Sequence, residues 1–395
     1  MTQEHPGLSG RPIYLDYNAT TPVDPRVVAA MLPFLTAEFG NPSSAHAYGQ
    51  APRDALTRAR RQVAALIGAS GEEIVFTGSG SEADALAIRG AVLAALATDR
   101  DHVHLVTQVT EHPAVLAACR ELQRWYGVEV TYLPVHRHGV VDPDDVAAAL
   151  TVDTVLVSVM HANNETGTLQ RIADIAAITC SHGVLLHSDA AQSVGKVPVD
   201  VDDLGVDLLT VVGHKMCAPK GIAALYVGHG VSLHPLVGGG GQERGLRAGT
   251  ESVAVAVALG EAADLAGQGL AAGESTRLAG LRDGLSDWLE ELIPGRVHIH
   301  GHPTRRLPNT LNLRITGVQA LPLLAATTDI SASTGSACHA GRDEPSGVLV
   351  GMGVDPDDAM SAIRLSAGRW TEPADVKRAA AVLAEAARAG TGGRA

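Results

Sequence analysis

Short apolar runs, each stopping at a polar cluster, set the rhythm of this chain. Residues 74–76, 103–108, 128–133, 155–160, 184–186, 208–212 and 222–227 are rich in Val, Ile and Leu and are bounded by Gly or polar residues. Runs of that length and flanking read as buried strands. Between them, apolar residues at helical spacing predict helices over 82–96, 114–126, 140–150 and 172–182. Strand and helix in alternation predict an α/β fold, a mostly parallel seven-stranded sheet with helices on both faces. Upstream, helices are predicted over 26–38 and 52–66. Downstream, helices over 252–266, 274–292 and 374–388 and strands over 297–300, 311–315 and 330–333 predict a smaller α+β unit. The expected organisation is an N-terminal arm (1–12), a large domain (13–255), a small C-terminal domain (256–388) carrying a loop at about 333–347, and a disordered tail (389–395).

Composition narrows the function classes. The 395 residues are 46% hydrophobic and 18% charged, as in a globular enzyme and unlike a disordered chain. A formal net charge of −13 argues against a broad nucleic-acid surface. Neither a run of 18 apolar residues nor an apolar segment near the N-terminus is found, so neither a membrane span nor a secretory signal is expected. Cys119, Cys180, Cys217 and Cys338 are far apart with no CxxC pair, which fits free thiols in a reducing cytoplasm and no metal site.

The polar clusters carry the chemistry. One run ends at Asp189 and another at His214–Lys215, and in α/β sheets function collects beyond the carboxyl ends of strands. A carboxylate and an amine on one rim are the minimum for holding pyridoxal phosphate. The lysine links to its aldehyde, and the aspartate keeps its pyridine nitrogen protonated. Residues 77–81 form a Gly and hydroxyl turn opening a helix, suited to a phosphate but without the spacing and lysine of a nucleotide P-loop. His112 follows another strand and offers a flat ring for stacking, and the 163–165 and 189–192 loops offer amides. Cys338 sits in a Gly, Ser and Ala loop next to His339 and near Arg342, a setting for an accessible thiol. Arg364 stands at or beside a short strand, where its fork can hold a carboxylate bidentately.

The segments YLDYNATTP, FGNPSS, TEH, NNETG, DAAQSVGK, GHK, PKGI, GGGQERGLRAGT, STGSAC and IRLSAGR resemble the motifs of cysteine desulfurases of the NifS/IscS type, class V aminotransferases within the fold-type I pyridoxal phosphate enzymes. The resemblance runs from about Tyr14 to Arg369. It implies Lys215 as the cofactor-linking lysine, Asp189 as partner of the ring nitrogen, and His112 stacked on the ring. Asn164 and Gln192 would lie along the ring edge. Gly80, Ser81 and His214 would hold the phosphate, with Thr250 reaching over from the second subunit of a homodimer. Cys338 would accept sulfur from L-cysteine as a persulfide and pass it to acceptor proteins, while Arg364, with Asn164 beside it, would anchor the substrate carboxylate. Iron–sulfur cluster assembly, tRNA thiolation and DNA phosphorothioation are the implied destinations, with no direct nucleic-acid contact. The chain departs from the family pattern at Val212, where Ser is usual, in GSGSEA, and at His339. The alternatives are an aminotransferase, a selenocysteine or amino-acid β-lyase, or a sulfur-acceptor docking scaffold without turnover.

Overall fold

The structure, a computed structural model, describes residues 5–98, 100, 102–334 and 344–391. Its strands are β1 (Ile13–Tyr14), β2 (Ile74–Thr77), β3 (His104–Gln108), β4 (Glu129–Leu133), β5 (Thr154–Ser158), β6 (Leu185–Asp189), β7 (Leu208–Val212), β8 (Ala223–Val227), β9 (Val297–His300), β10 (Thr310–Ile315), β11 (Ile330–Ser331) and β12 (Ala362–Ser366). Seven of them form one sheet in the order β2-β8-β7-β6-β5-β3-β4. Every pairing is parallel except those of β8, which runs against both its neighbours. The fold-type I, mostly parallel α/β architecture is therefore present. β2, β3, β7 and β8 are buried along their whole length, which is why β2, β7 and β8 are almost wholly apolar, while β3 carries buried His104, Thr107 and Gln108.

Helix starts follow local chemistry. Asp24, Ser79, His112 and Asp142 each cap a helix by accepting a backbone N–H, and Pro follows at the first position in all but the Ser79 case. Several predicted bounds move. The 26–38 helix ends at Met31 and continues as a 3₁₀ turn, Leu32–Leu35. The 52–66 helix starts earlier, at Ala47, with Pro52 inside it. The 140–150 helix shrinks to Pro143–Ala149, because the Asp142 cap and Pro143 fix its start. The predicted strand at 330–333 shortens to β11, which pairs with β1, while Ser333 makes only an isolated bridge to Arg364 of β12.

The main apolar core runs from Val27 to Leu265, and a second gathers Leu15 with residues between Leu278 and Ala387. The Val253–Ala271 helix is long and apolar enough, by length and composition, to cross a membrane, but 61% of that window is buried inside the fold. It packs on the Ala47–Leu66 helix so closely that a Cβ on Gly260 would stand 2.7 Å from Ala59 Cα. Gly260→Val should therefore lower stability by about 2–4 kcal/mol through overpacking, measured as a shift in urea midpoint with an unchanged slope.

Candidate active site

Five strands deliver the site from their carboxyl ends, each through the turn that follows it. After β2 the chain turns through Gly78 and Ser79 into the Gly80–Leu96 helix, with Ser79 Oγ accepting from Glu82 N at 3.2 Å. β3 leads to Glu111 and His112, β5 to Asn164 and Glu165, β6 to Asp189 and Gln192, and β7 to a 3₁₀ turn holding His214 and Lys215. These residues line one cavity of about 710 Å³, together with Asn18, Ala19, Asp84, Lys220 and Arg364. Of the sequence-predicted residues, Gly80, Ser81, His112, Asn164, Asp189, Gln192, His214, Lys215 and Arg364 are brought together here. Thr250 is exposed and does not line this cavity. Cys338 and His339 lie outside the described residues.

The irregular segment after β1 builds one wall. Lys215 Nζ donates to the carbonyls of Asn18 at 2.6 Å and Ala19 at 2.9 Å. Gln192 Nε2 donates to the same Asn18 carbonyl at 3.0 Å. Arg364, 2% exposed, donates from Nη2 to Asp16 Oδ1 at 2.8 Å and from Nη1 to the Asn164 carbonyl at 2.9 Å, while its buried Nε has no hydrogen-bond partner among the described residues. His214 is paired through Nδ1 with Thr20 Oγ1 at 3.1 Å, and burial pushes its pKa down to about 4. A neutral His214 can still donate one ring N–H to an anion.

Asp189 lies at the floor. One of its oxygens accepts from Ala191 N at 2.9 Å. Burial pushes its carboxyl toward the neutral form, against the opposing pull of His112 and Lys215. Burial likewise lowers the pKa of the His112 ring. Asp84, His112 and Asp189 bring their ligand atoms within 4.8 Å of one another, the one such group among the described residues. Asp84 is fully buried and held well above the usual carboxylate range by desolvation and by Asp189. Glu111, which accepts from Met160 N at 2.6 Å and Gln108 Nε2 at 3.1 Å, is pushed by burial up to about 8. Sequence reasoning passed over Asp84, although a lone carboxylate on the buried, Ala-rich face of a helix is a visible signal. It also passed over Asn18, which acts through its backbone carbonyl and so leaves no side-chain signature.

Val212 shapes the turn at Gly80. Its Cγ2 would stand 2.6 Å from a Cβ placed on Gly80, so the bare glycine face and the valine accommodate each other. Free N–H groups at that helix start, together with Ser79 and Ser81, remain suited to an anion.

Residues 13–379 match the aminotransferase class-V family. This chain belongs to that family. Among its class-V relatives is a protein of Dictyoglomus turgidum named cysteine desulfurase IscS, 44% identical over 94% of each chain. Solved structures similar to it include a NifS-like protein (TM-score 0.87, 34% identity, covering 95% of this chain and 98% of that one). Another is SspA in complex with cysteine (TM-score 0.78, 34% identity, covering 89% and 98%).

The pKa of Glu111 gives a signed expectation for this class-V site. A carboxyl raised from 4.5 to about 8 binds its proton more tightly when folded, so its contribution is present below pH 4.5 and is lost as pH rises through about 8. Glu111→Gln, which mimics the protonated acid, should make the cofactor-free protein more stable than wild type above pH 8, by a margin that builds up between pH 4.5 and about 8. The gap should close below pH 4.5, as read by thermal unfolding across that range.

Proposed function

We propose that this chain is a pyridoxal 5′-phosphate-dependent cysteine desulfurase that converts L-cysteine to L-alanine and carries the sulfur as a persulfide on Cys338. The observation that carries this reading is one cavity lined by the Lys215 amine, the buried Asp189 carboxyl and the Arg364 guanidinium. Relatives named cysteine desulfurase and a similar structure holding cysteine support the substrate.

The residues present fit the cofactor. A buried carboxyl that desolvation pushes toward neutral suits a cationic ring nitrogen, which would hold it ionised. The helix start at Gly80 and Ser81, with His214, would take the phosphate. His112 would face the ring, Asn164 and Gln192 its edge, and Lys215 the aldehyde. When bound, the cofactor supplies an electron sink for the substrate Cα.

The chain's own residues do the rest. Arg364, already rigid between Asp16 and the Asn164 carbonyl, orients the substrate carboxylate. The Lys215 amine takes and returns the Cα proton. The Cys338 thiolate attacks the substrate sulfur, so that an S–S bond forms as the Cβ–Sγ bond breaks. Thr334 and Glu344 both line the cavity. Cys338 stands four residues along the chain from Thr334, within a reach of at most about 14 Å. An exposed apolar face at Val28, Leu32, Leu35, Phe39 and Tyr48 supports the homodimer in which Thr250 serves the other subunit's site.

Two apolar cores, one reaching Leu265 and one gathering Leu15 with residues from Leu278 onward, support a large unit and a smaller C-terminal one, with the Val253–Ala271 helix packed on the large unit. Buried, unpaired Cys119 and Cys217 and exposed Cys180 fit a cytoplasmic protein. Sulfur passes to acceptor proteins, with iron–sulfur cluster assembly as the leading destination and thiolation of tRNA or DNA phosphorothioation as others.

Two tests follow. Cys338→Ser should keep the yellow bound cofactor and lose sulfide release by at least about 10³-fold, whereas Lys215→Ala should lose the normal colour as well. Alanine must be the carbon product; pyruvate would make the protein a β-lyase. Arg364→Lys should raise KM for cysteine by roughly 10-fold or more, since a single ammonium replaces a two-pronged contact. Steady-state kinetics on both sides of KM would separate that from a loss in kcat.

A further inference from the structure

Only four of the chain's thirty Lys and Arg residues are lysine, so the sequence builds its surface cations from arginine. A lysine turned inward is then an exception with a cause. Lys196 is such a residue, 8% exposed and without a carboxylate partner among the described residues. Its Nζ donates to the Gln192 carbonyl at 2.9 Å and to Gln192 Oε1 at 3.1 Å. Its backbone carbonyl is pinned by Ser275 Oγ at 2.6 Å.

Those contacts decide which way the Gln192 amide points. Lys196 has a hydrogen to give in either charge state, and the acceptor it meets is Gln192 Oε1. Nε2 then faces the Asn18 carbonyl, which can only accept, and the two neighbours agree. Turning the amide over would set a carbonyl against the Asn18 carbonyl and, with Lys196 protonated, an ammonium against NH₂. The second Nε2 hydrogen remains for the cavity that Gln192 lines. We propose that Lys196 is a positioning residue, holding Gln192 so that it presents a donor, and not an acceptor, to an anionic ring oxygen of the bound cofactor. The inference rests on the cofactor reading above and names a residue to which that reading gives no task.

Lys196 also sits within the field of Lys215 and Arg364, which lower its pKa, and of Cys217, which raises it; burial is the largest cause, and together they bring it from 10.5 down to about 7. Folded wild type therefore binds fewer protons than the unfolded chain between about pH 7 and 10.5, and gains stability as pH rises through that window.

The experiment compares Lys196→Met, Lys196→Gln and Gln192→Leu, singly and with the Met and Leu changes combined. Lys196→Met should raise the dissociation constant for pyridoxal phosphate about 5- to 10-fold, the scale of one neutral hydrogen bond. It should also shift the absorption band of the bound cofactor. Lys196→Gln, which restores a donor of similar reach, should recover both. In the Gln192→Leu background the Met change should add nothing, because the residue it acts through is gone. In the cofactor-free protein, the thermal midpoint of Lys196→Met relative to wild type should fall as pH rises from 7 to 10.

Equal dissociation constants and spectra for wild type and Lys196→Met would overturn the proposal. So would a loss of equal size in both backgrounds, the mark of a packing role. Should the Met variant fail to fold, Lys196→Gln alone carries the test: loss of wild-type affinity and spectrum in it would overturn the assignment. If wild type itself takes no cofactor, the cofactor reading fails first, and the pH-dependent midpoint still reports separately whether Lys196 is the buried amine described.

Discussion

One backbone carbonyl, that of Asn18, holds the site together. It accepts from Lys215 at 2.6 Å and from Gln192 at 3.0 Å, so two polar side chains arriving from different strands meet on a single oxygen. The oxygen is itself fixed, because the Asn18 side chain donates to Thr310 Oγ1 and accepts from Asn309 Nδ2. Its backbone N–H in turn donates to Ser366 Oγ. Buried donors and acceptors must be matched, and each one left alone would cost about 1–3 kcal/mol. An acceptor shared in this way satisfies several groups with little conformational freedom.

The same burial makes the site chemically unfinished. Asp84, Glu111 and Asp189 are all pushed toward the neutral form by desolvation, while His112, His214 and Lys196 are pushed toward losing their protons. Water has been withdrawn from groups of both signs before any ligand arrives. A ligand carrying a cationic nitrogen at one end and an anionic phosphate at the other meets groups whose charged states are destabilised and would be restored by it. On the proposed function, selectivity for such a dipolar molecule would come from how the pocket is dried.

The fold was legible wherever burial was complete. β2, β7 and β8 announce themselves as apolar runs because both faces are covered, and the polar residues at the ends of β6 and β7 are readable as functional from position and chemistry. Helix bounds were less legible. A proline suggests a start, and Pro52 instead sits inside a helix that begins at Ala47. β1 and β11, two residues each, carry no period at all and exist through their pairing with one another. In the site, side-chain roles could be read, whereas Asn18 acts through its main chain and Lys196 through an amide it touches. Asp84 was within reach as a carboxylate on an otherwise apolar helix face.

The threading of residues 13–21 has a consequence for how a newly made chain matures. These residues pair with β11, bridge to Ser366 and bond to the turn carrying Lys215. Their partners, Ile330, Ser331 and Ser366, lie at the far side of the sequence, with every strand of the large sheet in between. Contacts of such long sequence separation are slow to close and wait for the last segments. The Lys215 amine therefore gains its enclosing wall only once segments far apart in the sequence have met, so the pocket closes late in folding whatever the order in which the outer elements form.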